Sequence, residues 1–184
     1  MSVARLLYRT SQFWQALRSE TTPQDLALAS SLLAPAQIEL FRQMPGSDQI
    51  HSLRVLKALV TQGEKNSDLW IAALLHDVGK SILPLRLWER VLIVLVGSVC
   101  PGCWQRWGMT SAGRNPTTLS WRRAFVVAAQ HPQWGAELAA KAGASPLAVA
   151  LIRRHQKRME SSVDVDADPE DRLLSRLQAV DDNS

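Results

Sequence analysis

The spacing of apolar residues constrains this chain more than any other feature. Along most of its 184 residues, apolar side chains recur three and four positions apart, the period of one helix face. Alternating strand patterns joined by Asn-Gly or Asp-Gly turns are absent. The pattern predicts helices near residues 3–18, 23–32, 35–43, 47–62, 67–76, 84–98, 118–130, 132–142, 145–157 and 168–182. The expected fold class is therefore all-α, a compact helical bundle. Capping chemistry supports several of the starts. Pro23 follows Thr22, Ser67 precedes an apolar stretch, Pro146 follows Ser145, and Asp168-Pro169-Glu170 repeats the arrangement. Gly143 after Ala142 reads as a helix stop. One long irregular stretch, Cys100 to Thr118, divides an N-terminal helical group from a C-terminal one.

Composition narrows the class further. An apolar fraction of 46% is enough for a core that needs neither disulfides nor a structural metal. A net charge of +4 suits an anionic substrate, but the cations are scattered, so nucleic acid is not favoured as a partner. Their densest group, Arg153 to Arg158, reads first as a solvated helix face. Arg5 and Arg9 interrupt the apolar N-terminus, which does not read as a signal peptide. The longest apolar run, Val91 to Val96, falls far short of the roughly 20 residues of a spanning helix, so a cytoplasmic setting is expected. Cys100 and Cys103 supply only two of the four ligands of a structural zinc and read as a turn with incidental thiols.

The four histidines carry the chemical message. His51 leads Val55, Ala58 and Leu59; His76 follows Leu69, Ala72 and Ala73. His131 follows Ala124, Val127 and Ala128; His155 follows Ala148, Leu151 and Ile152. Each lies at helical spacing from apolar neighbours, on the face that should be buried. A single histidine so placed is usually a hydrogen-bonded core residue. Four on four helices all need partners, and a shared metal is the most economical one.

Asp77 follows His76 directly. Adjacent helix residues point about 100° apart, so the two can share an ion only where the helix ends. Gly79 would permit a close approach there, and Lys80 puts a cation suited to phosphate beside the pair. In the last helix, Asp181 continues the stripe of Leu174 and Leu177 and faces inward, whereas Asp182 faces solvent.

His51, the segment Leu74-Leu75-His76-Asp77-Val78-Gly79-Lys80, then His131, His155 and Asp181 resemble the HD superfamily of metal-dependent phosphohydrolases. The resemblance spans roughly residues 47–182. It implies an HD-type helical bundle over 47–184, preceded by an N-terminal helical extension over 1–46. It implies that His51, His76, Asp77 and Asp181 hold one metal, and that His131 and His155 serve a second with Asp77 bridging. The cofactor expected is one or two divalent transition metals, iron, manganese, cobalt or nickel, with magnesium less suited to imidazole. Asp77 and Lys80 would be catalytic, and Lys80 and Arg154 would bind substrate. The turn Gln130-His131-Pro132-Gln133-Trp134-Gly135 also resembles the family's, with Pro132 opening a new helix and Gly135 allowing close packing.

The implied activity is hydrolysis of a nucleotide or another small phosphate ester by metal-activated water. Two alternatives stay open: a di-iron oxygenase of the same fold, and a non-catalytic metal-binding regulatory domain. The chain departs from the cyclic di-GMP subgroup, since Gln156-Lys157-Arg158 follows His155 where that subgroup has its Gly-Tyr-Pro signature. Trp88, Trp104 and Trp107 flank the apolar run, with Arg86, Arg90 and Arg106 nearby. Residues 86–107 thus read either as a buried helix of the core or as a peripheral membrane or protein contact. Nothing in the sequence sets an oligomeric state.

Overall fold

In the computed structural model the residues described are 21–100, 107–108, 122–157 and 168–184. The predicted helix at 3–18 and most of the stretch 100–118 lie outside them, as do Cys103, Trp104 and Arg106. Among the described residues the chain is all-α, without a strand. It runs α1 (Pro23–Leu32), α2 (Pro35–Gln43), α3 (Gly46–Thr61), α4 (Ser67–Leu75), a 3-10 turn (Val78–Ser81), α5 (Leu87–Val99), α6 (Arg123–Lys141), α7 (Pro146–Arg154) and α8 (Pro169–Asp181).

The helix starts follow their caps. Thr22 and Asp25 exchange side-chain and backbone hydrogen bonds ahead of α1, with Pro23 at its first position. Ser145 accepts from the Ala148 N–H at 3.1 Å, and Asp168 from the Glu170 N–H at 3.3 Å. At α4 the cap is Asn66 rather than Ser67: its side chain accepts from the Leu69 N–H at 2.9 Å, which makes Ser67 the first helical residue. Gly143, at φ +77°, ends α6 in the left-handed region that glycine enters at least cost.

One expectation is corrected. Pro132 does not open a new helix; α6 runs unbroken from Arg123 to Lys141 with Pro132 inside it. Proline lacks the N–H that would reach the Ala128 carbonyl. The His131 ring fills that gap, its Nδ1 lying 3.0 Å from the Ala128 oxygen.

Packing puts the elements into one layered bundle. α6 lies against α7 and the 3-10 turn, α4 against α3 and α7, and α8 against α3. Phe41, Leu56, Leu59, Leu69, Leu151 and Leu177 are fully buried in a core that also takes in Ala29 of α1 and Ile38 of α2. Burial of such side chains supplies about 1.5–3 kcal/mol each.

α5 sits outside this core. Its inner side is tied by ion pairs, Glu89 with Arg123 at 2.5 Å and Arg90 with Asp48 at 2.9 Å. Its outer side exposes Trp88, Val91, Val94, Leu95 and Val99, from 44% to 87%. The run is therefore not a buried core helix. Among the described residues no helix is long and apolar enough to cross a membrane. Cys100, just past α5, is disulfide-bonded, which corrects its reading as an incidental thiol.

Candidate metal centre

Five elements deliver side chains to one point. His51 comes from the second turn of α3. His76 caps the end of α4, Asp77 precedes the 3-10 turn, and His131 lies midway along α6. His155 caps the end of α7 and Asp181 is the last residue of α8. Because α4 stops at Leu75 and Asp77 takes φ −95°, ψ 0°, the two adjacent side chains escape helical divergence and converge.

The donor atoms form two overlapping groups. Ligand atoms of His51, His76 and Asp77 lie within 4.8 Å of one another, and so do those of Asp77, His131 and His155. Asp77 belongs to both. Its Oδ1 lies 3.3 Å from His131 Nε2 and 3.9 Å from His155 Nε2, and its Oδ2 lies 3.6 Å from His76 Nε2. Asp181 Oδ1 completes the first group, 2.7 Å from His51 Nε2 and 3.4 Å from His76 Nε2.

Three of the rings are held in one tautomer by their own helices. His76 Nδ1 lies 2.9 Å from the Ala73 carbonyl, and His155 Nδ1 lies 2.8 Å from the Ile152 carbonyl. His131 Nδ1 lies 3.0 Å from both the Val127 and the Ala128 carbonyls. Carbonyl oxygens only accept, so each Nδ1 carries the hydrogen, and in the neutral ring each Nε2 presents a lone pair. Such backbone locks are the usual support of a metal-binding imidazole.

The consequence is a set of facing acceptors. His76 Nε2 and His131 Nε2 are buried without a hydrogen-bond partner, although carboxylate oxygens stand 3.4 and 3.3 Å away. Leaving a buried polar atom unpaired costs about 1–3 kcal/mol. A cation between the nitrogen and oxygen lone pairs removes that cost, and separations of this size suit two ligands held at about 2.0–2.2 Å from a shared ion. The residues fit a divalent metal.

Electrostatics agree. Burial opposes ionisation of Asp77, yet Lys80, His76 and His131 hold its carboxyl well below the usual range. Burial opposes it at Asp181 too, and the His51 and His76 rings overcome it. Burial alone would depress His76; Asp77 and Asp181 beside it carry the ring up to about 9. Without metal, the His76 proton is thus the cation between two carboxylates. His155 goes the other way, pushed down to about 3 by burial and by its neighbours His76 and His131. Burial likewise lowers His131.

Beside the donors opens a cavity of about 200 Å³, continuous with solvent, lined by Lys80, Arg90, Ile93, His131 and Gln156. Lys80 Nζ donates to Asp77 Oδ2 at 2.6 Å. Burial disfavours its charge, but Asp77 and Asp48 raise its pKa, so it stays an ammonium. Arg154 is not brought to this cavity. Its guanidinium spans Glu170 at 2.5 Å and Asp171 at 2.6 Å, fastening α7 to α8. Gln156, two residues on, lines the cavity instead.

Sequence reasoning missed Asp48 and Arg90. Asp48 is buried one turn before His51, and a carboxylate at that spacing from a candidate ligand was the available signal. The Gly79 and Gly135 roles hold: a Cβ on Gly79 would fall 2.0 Å from the His131 carbonyl oxygen and 2.7 Å from the Gly135 nitrogen. Only glycine lets the 3-10 turn press onto α6 at the level of His131.

The family model described as HD domain matches residues 49–90, a stretch that contains His51, His76, Asp77, Lys80 and Arg90. His131, His155 and Asp181 lie beyond it. No curated protein matches the chain, and no solved structure does.

Proposed function

We propose that this chain, whose residues 49–90 match the HD-domain family model, is a metal-dependent phosphohydrolase acting on a nucleotide or another phosphate ester. The observation that carries the proposal is the double use of Asp77, whose carboxylate joins a His51–His76 group to a His131–His155 group. In this reading His51, His76, Asp77 and Asp181 hold one ion, and Asp77, His131 and His155 hold a second. Iron, manganese, cobalt or nickel suits four imidazoles and two carboxylates better than magnesium. When bound, the ions supply Lewis acidity toward the phosphate and make water a nucleophile near neutral pH.

The protein's own groups do the rest. The Nδ1 contacts hold the His76, His131 and His155 rings so that each Nε2 is aimed inward, and Asp77 remains ionised under the pull of Lys80. Lys80, which lines the cavity beside Asp77, would meet the phosphate and offset its charge. In the reaction the P–O ester bond breaks, the oxygen of water joins phosphorus, and one of its protons leaves with the alcohol.

The test is metal content joined to activity. Protein loaded with manganese should carry up to two ions per chain and hydrolyse p-nitrophenyl phosphate. His76→Ala should lose metal and activity together, and Lys80→Ala should keep metal but lose kcat/KM. Full metal content in His76→Ala would overturn the site. A fully loaded protein inert toward phosphate esters, but with iron-dependent, oxygen-sensitive absorption, would replace hydrolase by oxygenase.

A further inference from the structure

The cavity beside the donors holds two cations on different elements. Lys80 belongs to the 3-10 turn, and Arg90 reaches in from α5, outside the core. Arg90 is held in place: its two terminal nitrogens donate to the two oxygens of Asp48 at 2.9 and 3.1 Å. Asp48 itself is buried, 4% exposed. A guanidinium has five N–H donors. Two go to Asp48 and one makes a long 3.4 Å contact with Ser47, which leaves the others uncommitted among the described residues.

A forked donor fixed in advance gives up little freedom when it takes a second acceptor. The rest of the cavity wall is different in kind. Leu85, Ile93, Val127 and Ala128 line it, and apart from the donor His131 its one uncharged polar side chain among the described residues is Gln156. Such a wall suits an apolar or planar group and leaves the hydroxyls of a polyol unpaired.

We propose that Arg90, braced by Asp48, is the second anion-binding residue of this cavity, and that the substrate is a phosphomonoester with an apolar or aromatic alcohol part. The phosphate sits between Lys80 and Arg90 at the donor end, and the alcohol part lies on the wall that Ile93 helps form. Asp48 acts as a positioning residue. This deepens the phosphohydrolase reading and rests on it.

The test uses the full, manganese-loaded chain and two probes. Calorimetric titration with inorganic phosphate should show Arg90→Gln binding at least about tenfold more weakly than the parent, at equal metal content. Arg90→Lys should lose several-fold, and Asp48→Asn less than Arg90→Gln. The second probe is the ratio of kcat/KM for phenyl phosphate over methyl phosphate. Ile93→Trp should lower that ratio at least tenfold by filling the wall. Unchanged phosphate affinity in Arg90→Gln, or an unchanged ratio in Ile93→Trp, overturns the inference while leaving the hydrolase reading intact. If Arg90→Gln fails to fold by circular dichroism, Arg90→Lys and Ile93→Trp decide the matter in the same way. A metal-replete parent that neither binds phosphate nor cleaves either ester overturns the hydrolase reading and this inference with it.

Discussion

Replacing Gly79 with alanine tests how the site is built, because the obstruction it meets is all backbone. The added Cβ would lie 2.0 Å from the His131 oxygen, 2.7 Å from the Gly135 nitrogen and 2.8 Å from the His131 carbonyl carbon. Ordinary contacts of a Cβ begin at about 3.4 Å and almost none fall below 3.0 Å, so the 3-10 turn must withdraw from α6 by at least about 1 Å. Helix backbone cannot yield as a side-chain end can. Overpacking in a core costs typically 1–3 kcal/mol, and this case belongs at the upper end. At about 3 kcal/mol, a domain of this size should lose roughly 6–12 °C in Tm. The withdrawal also carries Asp77 away from His131, now 3.3 Å from it. Metal–ligand distances tolerate only about 0.2 Å, so occupancy of the His131–His155 group should fall first. Thermal denaturation and metal analysis of Gly79→Ala read both effects. Gly46→Ala serves as control, since nothing lies within 4 Å of a Cβ there, and as a helix residue it should be neutral or gain roughly 0.5–1 kcal/mol. A Gly79→Ala protein with the parent's Tm and metal content would refute the reasoning.

Three further outcomes are expected. His155→Ala should lower metal stoichiometry from about two to about one, because His51, His76 and Asp181 still hold the first ion; an unaltered value of about one in both proteins would mean a mononuclear site. Metal uptake should depend on pH. The His76 ring is raised to about 9, so at pH 7 the metal-free protein carries that proton and binding must expel it. Affinity then falls about tenfold per pH unit below about 9. Calorimetry in buffers of different ionisation enthalpy should find close to one proton released at pH 7, and none released would contradict the assignment. Arg154→Met should cost about 0.5–1 kcal/mol in denaturant unfolding, as a partly exposed pair with Glu170 and Asp171 allows. It should leave kcat/KM unchanged, and a large activity loss would return Arg154 to the substrate site.

Much of the centre was legible in the sequence because helix geometry is local. A period of 3.6 converts sequence spacing directly into faces, so His51, His76, His131 and His155 could be placed on buried stripes without knowing what lay opposite. The same rule turned Asp181 inward and Asp182 outward, and it made Gly79 and Gly135 candidates for a close approach. Local rules also misled. Pro132 promised a helix break, because the sequence does not reveal that the preceding imidazole can satisfy the carbonyl a proline abandons. Arg154 looked free to bind phosphate, because its partners lie sixteen and seventeen residues away on another helix. In the sequence Arg90 stands out only as one of the arginines near the Trp-flanked apolar run, though it pairs with Asp48 across forty-two residues and lines the cavity. By itself the sequence determined an all-helical chain, the identity of the candidate donors and the side of each helix that carries them, since these follow from backbone periodicity and capping. The tertiary structure decided that Asp77 stands between two histidine groups and which cations reach the cavity. It also decided which apolar residues on α5 stay in the open. Those outcomes depend on how helices distant in sequence pack against one another, and no local spacing encodes that.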